Sequence, residues 1–220
     1  MCGRFTLTAE LSELQRVFPW AELPAELLPR YNIAPSQPVA VIASHNPKQV
    51  DFFLWGLIPN WAKDPQIGHR LINARAETLN QKPAFRVPYR HRRCLILANG
   101  FFEWQKEGKT KRPFLIRFKS GTPFAMAGLW DRWQSPDGSE ILSCAIITTE
   151  ANDLVKPIHE RMPVILPFND LQYWLEASEA ELARLNSLLQ PYPATELEAF
   201  TVSPIVNNPH QDRPECIQPA

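Results

Sequence analysis

Twenty-two prolines in 220 residues rule out a fold built on long uninterrupted helices, because proline lacks a backbone N–H and clashes with the preceding helical turn. The share is about twice the usual ~5%, so short elements joined by many loops and extended segments are expected. A hydrophobic fraction of 45% against 21% charged residues is enough for a real core in one domain of ordinary to large size.

Between the prolines, short apolar runs bounded by turn residues define the expected elements. Thr8 stands where it can cap a short helix with Leu11, Leu14, Val17 and Phe18 inward, ending before Pro19. The next stretch carries Pro24, Pro29, Pro35 and Pro38 and reads as irregular, with Tyr31 to Pro35 an extended loop. Val39 to Ala43 and Val50 to Leu57 read as a hairpin. Gly56 and Pro59 then put Trp61 on a loop, either as an exposed stacking surface or as a lid folded on the core. A helix is expected from about Ala74 until Pro83, with Asn73 as its N-cap.

Cys94 to Trp104 reads as one long strand in which Asn99-Gly100 marks a bulge or bend, with Pro113 to Phe118 as its partner. Phe124 to Trp130 and Ile141 to Thr149 follow as two more strands. A loop through His159 leads into Val164 to Leu166. Two helices come next, one ending near Glu176 and one opened by the capping box Ser178-x-x-Glu181, and Leu197 to Ser203 adds a last strand. The sum is an α+β chain, a single β-rich domain over 1–220 of mainly antiparallel strands. It is barrel-like or two packed sheets, with short peripheral helices and residues 205–220 as a tail.

Formal net charge is zero, yet ten Lys or Arg face only Glu103 and Glu107 between Arg86 and Lys119. One surface can therefore be basic while the molecule is neutral. Four cysteines at 2, 94, 144 and 216 form no zinc-type spacing, so no metal and no cofactor are expected. No signal peptide or membrane span is legible, which makes a reducing cytoplasm with free thiols the expectation.

Cys2 stands directly behind Met1. Freed of Met1, it would carry a thiol beside an α-amine of pKa ~7.7 to 8.0, and such a 1,2-aminothiol condenses with an aldehyde to a five-membered thiazolidine. Glu103, set among aromatic residues, is a carboxylate that burial can turn into a general acid, and His159 is a group able to move protons near pH 7.

Met1-Cys2-Gly3-Arg4-Phe5, Asn73-Ala74-Arg75, Gly100 to Trp104, Thr148-Thr149 and His159 to Pro163 together resemble the SRAP family, the SOS-response-associated peptidase-like proteins that shield abasic sites in single-stranded DNA. Arg30 to Pro35, Trp55 to Pro59 with Trp61, Arg92 to Leu95 and Val206-Asn207-Asn208 extend the resemblance through most of the chain. It implies Cys2 as nucleophile toward the ring-opened sugar aldehyde, Asn73 as the group that holds it, Glu103 as acid and His159 as proton carrier. It further implies DNA contacts by Arg4, Trp61, Arg75, Trp104, Thr148 and Arg161. The implied partner is single-stranded DNA containing an abasic site, bound by a monomer with no membrane and no metal, in the cytoplasm and at the nucleoid during DNA damage if the source is bacterial. The crosslink is open to later reversal. Leu97 and Asn99 depart from the Pro and Asp usual in relatives. A thiol peptidase or amidase that removes its own Met1 through Cys2 is the alternative, and plain single-strand binding a third reading.

Overall fold

The computed structural model describes residues 2–220; Met1, the expected blocking group of Cys2, lies outside them. The described residues form twelve strands: β1 (Arg4–Leu7), β2 (Arg30–Ile33), β3 (Pro38–Ala43), β4 (Asn46–Trp55), β5 (Asn73–Arg75), β6 (Arg93–Ala98), β7 (Gly100–Glu107), β8 (Thr110–Phe118), β9 (Phe124–Gln134), β10 (Glu140–Glu150), β11 (Arg161–Pro163) and β12 (Leu197–Thr201). The α-helices are short: α1 (Leu11–Val17), α2 (Pro83–His91), α3 (Leu171–Glu176) and α4 (Leu182–Ser187). No helix among the described residues is long and apolar enough to cross a membrane.

β10, β4, β3, β6 and β9 pair in that order, and β9 pairs back to β10, so these strands close into a barrel. β5 and β11 extend the barrel along the far end of β10. A second sheet runs β12-β8-β7-β1-β2. Phe5, Phe101 and Ile116 of that sheet share one buried core with Val41, Phe53, Ile96, Ala127 and Ile146 of the barrel. Phe102 and Leu115, on the outer face, are covered by Val202, Val206 and Cys216 of the C-terminal segment.

The α+β reading with mainly antiparallel sheets holds, and several local expectations are corrected. Thr8 caps no helix, because its N–H and hydroxyl are both taken by the Asn99 side chain at 2.8 and 2.9 Å. Glu10 caps α1 instead, in a capping box with Glu13. Tyr31 is not in a loop but in β2, paired to β1.

The stretch from Cys94 to Trp104 is two strands in two different sheets. At Asn99 the chain steps from the barrel to the outer sheet, its N–H donating to Thr6 O at 2.9 Å. Asn73 is no N-cap: residues 73–75 form a strand parallel to β10, only a 3-10 turn follows at Ala76–Thr78, and the helix begins at Pro83. Backbone pairing across the barrel end outweighs the local preference of Asn for a cap.

Arg93, only 2% exposed, sits where the helices meet the barrel. Its guanidinium donates to Tyr89 O and Arg90 O at the end of α2, at 2.9 and 2.8 Å. It also donates to Trp174 O at 2.6 Å and to Ala177 O at the end of α3. One buried cation thereby satisfies carbonyls that two helix ends leave without partners. Arg93→Ala should cost roughly 3 kcal/mol, as buried acceptors lose their donor. Urea denaturation is expected to show a lowered midpoint with an unchanged slope.

Candidate active site

Cys2 leads directly into β1, which is held between β2 and β7. Its side chain is fully buried, and Asn73 Nδ2 donates to Cys2 O at 2.9 Å. Asn73 is itself fixed by the pairing of β5 with Ile146 of β10. Its Oδ1 is buried and has no hydrogen-bond partner among the described residues. Burial pushes the Cys2 thiol far above its usual range, and the nearby Glu103 charge adds to the effect. The resting sulfur is therefore a thiol rather than a thiolate.

Glu103 lies on β7, one residue beyond the pairing of Phe102 with Arg4, and is 2% exposed. Burial pushes its carboxyl up to about 7. His159 is half-buried in the loop after β10, and burial lowers its pKa. Its Nδ1 lies 3.0 Å from Arg161 N and 3.3 Å from Arg161 O. Gln105 Nε2 donates to Pro157 O at 3.0 Å and ties this loop to β7. Glu103 and His159 line one open cavity of about 440 Å³ together with Arg4, Trp104, Lys111 and Asn207.

The expected cations are held in different ways. Arg4 donates to Asn32 Oδ1, Val206 O and Asn207 O at 2.8, 2.6 and 3.1 Å, so much of its guanidinium is committed to the fold. Arg161 forms a two-point pair with Glu77 at 2.6 and 3.0 Å and donates to Thr148 O at 2.7 Å. Arg75 is exposed beside them on β5, opposite Thr148. Thr148 is buried, with its carbonyl on Arg161.

Trp104 is half-buried, its Nε1 donating to Asn207 Oδ1 at 2.7 Å. Trp61 is 57% exposed, which decides against the lid. Its loop is pinned at Asn60 N by Asp131 Oδ2 at 3.0 Å and at Ala62 O by Trp133 Nε1 at 2.7 Å. It does not line the cavity.

Sequence reasoning missed Glu77, Asn32 and Lys111 as parts of this region. Glu77 carries no local signal, since only the tertiary pairing brings Arg161 across from it. Lys111 was legible in principle: the turn at Gly108, with φ of 59°, sets a register that returns Lys111 opposite Lys106. Among the described residues no group of His, Cys, Asp and Glu could hold a metal ion.

A sequence model described as SOS response associated peptidase (SRAP) matches residues 1–209. The abasic site processing protein YoqW of Bacillus subtilis strain 168 is 46% identical over 222 residues, covering 99% of both chains. The abasic site processing protein HMCES of Mus musculus is 33% identical, over 94% of this chain and 69% of its own. A crystal structure of a protein from Bacteroides thetaiotaomicron superposes with a TM-score of 0.89 at 30% identity, covering 100% of each chain.

The raised carboxyl of Glu103 has a consequence for stability. Between pH 4.5 and about 7 the folded state keeps a proton that the unfolded state has lost. Stability therefore falls as pH rises through that window, by an amount on the order of 2 to 3 kcal/mol for this group. The difference between wild type and Glu103→Gln in denaturation midpoint, followed from pH 4.5 to 8, should isolate that slope. Parallel curves would show a carboxyl that titrates normally.

Proposed function

The chain belongs to the SOS response associated peptidase (SRAP) family, and on that premise we propose that it captures abasic sites in single-stranded DNA by a covalent bond to Cys2. The observation that carries this reading is the 2.9 Å hydrogen bond from Asn73 to the Cys2 carbonyl. It fixes the residue that becomes the N-terminus beside a buried carboxyl whose pKa is about 7.

Hydrolysis of the Met1–Cys2 peptide bond frees the α-amine. The abasic sugar is mostly a closed hemiacetal. Protonated Glu103 donates to the ring oxygen as the C1′–O4′ bond breaks and the C1′ hydroxyl proton departs, which releases the aldehyde.

The neutral amine of Cys2 adds to C1′ to give a carbinolamine. Proton transfer through His159 and Glu103 then expels water and leaves an imine. The sulfur adds to the imine carbon, its proton ends on nitrogen, and a thiazolidine closes. The balance is aldehyde plus aminothiol to thiazolidine plus water, with no change of oxidation state. Because burial keeps the thiol protonated, the amine attacks first and the sulfur follows.

Asn73 Oδ1, buried without a partner among the described residues, is an acceptor for a hydroxyl or ammonium brought beside Cys2. Neutral His159 is able to accept a proton at pH 7, since burial lowers its pKa. Holding reactants in such a geometry converts a two-body encounter into a one-body step. The exposed ring of Trp61 suits stacking of a base, worth roughly 1 to 3 kcal/mol per base.

The test is incubation of the mature protein with a single-stranded oligonucleotide carrying one abasic site, followed by a denaturing gel. A shifted covalent band is expected, absent in Cys2→Ala and in protein that retains Met1. Glu103→Gln should slow its formation by on the order of 100-fold while binding of an undamaged strand is unchanged. An undiminished band in Cys2→Ala would overturn the reading. Cys2-dependent hydrolysis of unrelated peptides, with no band, would favour a thiol peptidase instead.

A further inference from the structure

The β7–β8 hairpin projects beyond the cavity, and its two faces carry different charge. Side chains alternate along a strand, and directly paired residues share a face. Arg4 pairs with Phe102, Trp104 with Pro113, and Lys106 with Lys111. The outer face therefore runs from Arg4 through Trp104 to Lys106 and Lys111, with Lys109 at the turn. Arg4 lies 5.9 Å over the Trp104 ring, and Lys111 lines the same cavity as Glu103 and His159.

The hairpin's two acids, Glu103 and Glu107, alternate to the opposite face, where Glu107 is neutralised by Arg112 at 3.0 Å. Lys106, Lys109 and Lys111 are exposed, and none is in an ion pair among the described residues. Like charges placed directly opposite on paired strands repel each other, and nothing in the described fold relieves the Lys106–Lys111 pair. A cationic row that starts at an aromatic ring and at the cavity wall has the composition of a single-strand track, in which stacking and phosphate contacts alternate.

We infer that the Lys106, Lys109 and Lys111 face of this hairpin binds the phosphates of the nucleic-acid strand as it leaves the cavity lined by Glu103 and His159. This rests on the proposed reading of that cavity as an abasic-site pocket. It adds a contact surface to that of exposed Arg75, since Arg4 and Arg161 are largely engaged within the protein.

The experiment is fluorescence anisotropy of a labelled, undamaged single strand against the Lys106→Gln/Lys111→Gln double variant across a salt series. Each phosphate contact on a single strand contributes about −0.7 to the slope of log K against log salt. The double variant should thus show a slope shallower by about 1.4. Its binding should be weakened roughly 10- to 30-fold at 0.1 M salt and converge with wild type near 1 M. Lys48→Gln, on β4, should change nothing, and Lys106→Arg/Lys111→Arg should restore binding.

The melting temperature of the double variant should not fall. Wild-type affinity and slope in the Gln double variant would overturn the inference, as would failure of the Arg pair to restore binding. If wild type binds the strand in a salt-dependent way but forms no adduct with an abasic site, the cavity reading fails while the hairpin still stands or falls by its own slope. If wild type binds no strand at all, both fail.

Discussion

A β-strand has two edges, and β10 uses each of them twice. On one edge it pairs with β9 and then β11; on the other with β4 and then β5. The first pairings close the barrel, and the second carry it onward to the candidate site. Ile146 to Thr148 hold Asn73 to Arg75 in place, and Thr148 to Glu150 hold Arg161 to Pro163. His159 is positioned through the same connection, because the N–H of Arg161 fixes its ring nitrogen. The short polar segments of the site thus owe their order to one strand, where a buried backbone group without a partner would be costly.

The two ends of the chain are joined with similar economy. Asn32, fully buried, donates to Val206 O, Asn208 O and Gln211 O, and its Oδ1 accepts from Arg4. Asp212 accepts the N–H groups of Tyr31 and Asn32 and pairs with Arg30. The tail seals the outer face of the second sheet through these bonds and the apolar contacts of Val206 and Cys216. Cys2 is held between this clamp and Asn73, so the proposed nucleophile sits on a fixed base rather than on a fraying end. Burial also raises both the thiol of Cys2 and the carboxyl of Glu103. The latter gives a proton donor near neutral pH, at a cost in stability that the surrounding core offsets.

The β-rich body was legible because apolar runs of four to eight residues between prolines and turns have few other ways to be buried. The hairpin from Val39 to Leu57, the pairing of Phe124 to Trp130 with Ile141 to Thr149, and the capping box at Ser178 and Glu181 all follow from local pattern. Where the local pattern competed with distant partners, it lost. Asn73 has the chemistry of a cap and became a strand residue. Thr8 also has that chemistry, and its hydroxyl went to Asn99, ninety-one positions away. Parallel pairing of β4 and β5 to β10 has no local signature at all.

The sequence by itself determined the reactive inventory: a cysteine behind a methionine, a carboxylate among aromatics, a histidine in a polar loop and a set of arginines. Side-chain chemistry is a property of residue type, so these were visible without coordinates. The tertiary structure decided which of them are available. It buried the Cys2 sulfur, closed Arg161 on Glu77, committed Arg4 to the C-terminal segment, and left Trp61 and the hairpin lysines facing solvent. Those outcomes depend on contacts between residues far apart in the chain. Burial, charge pairing and exposure are set by what lies alongside a residue in space, and neighbouring letters in a sequence do not carry that information.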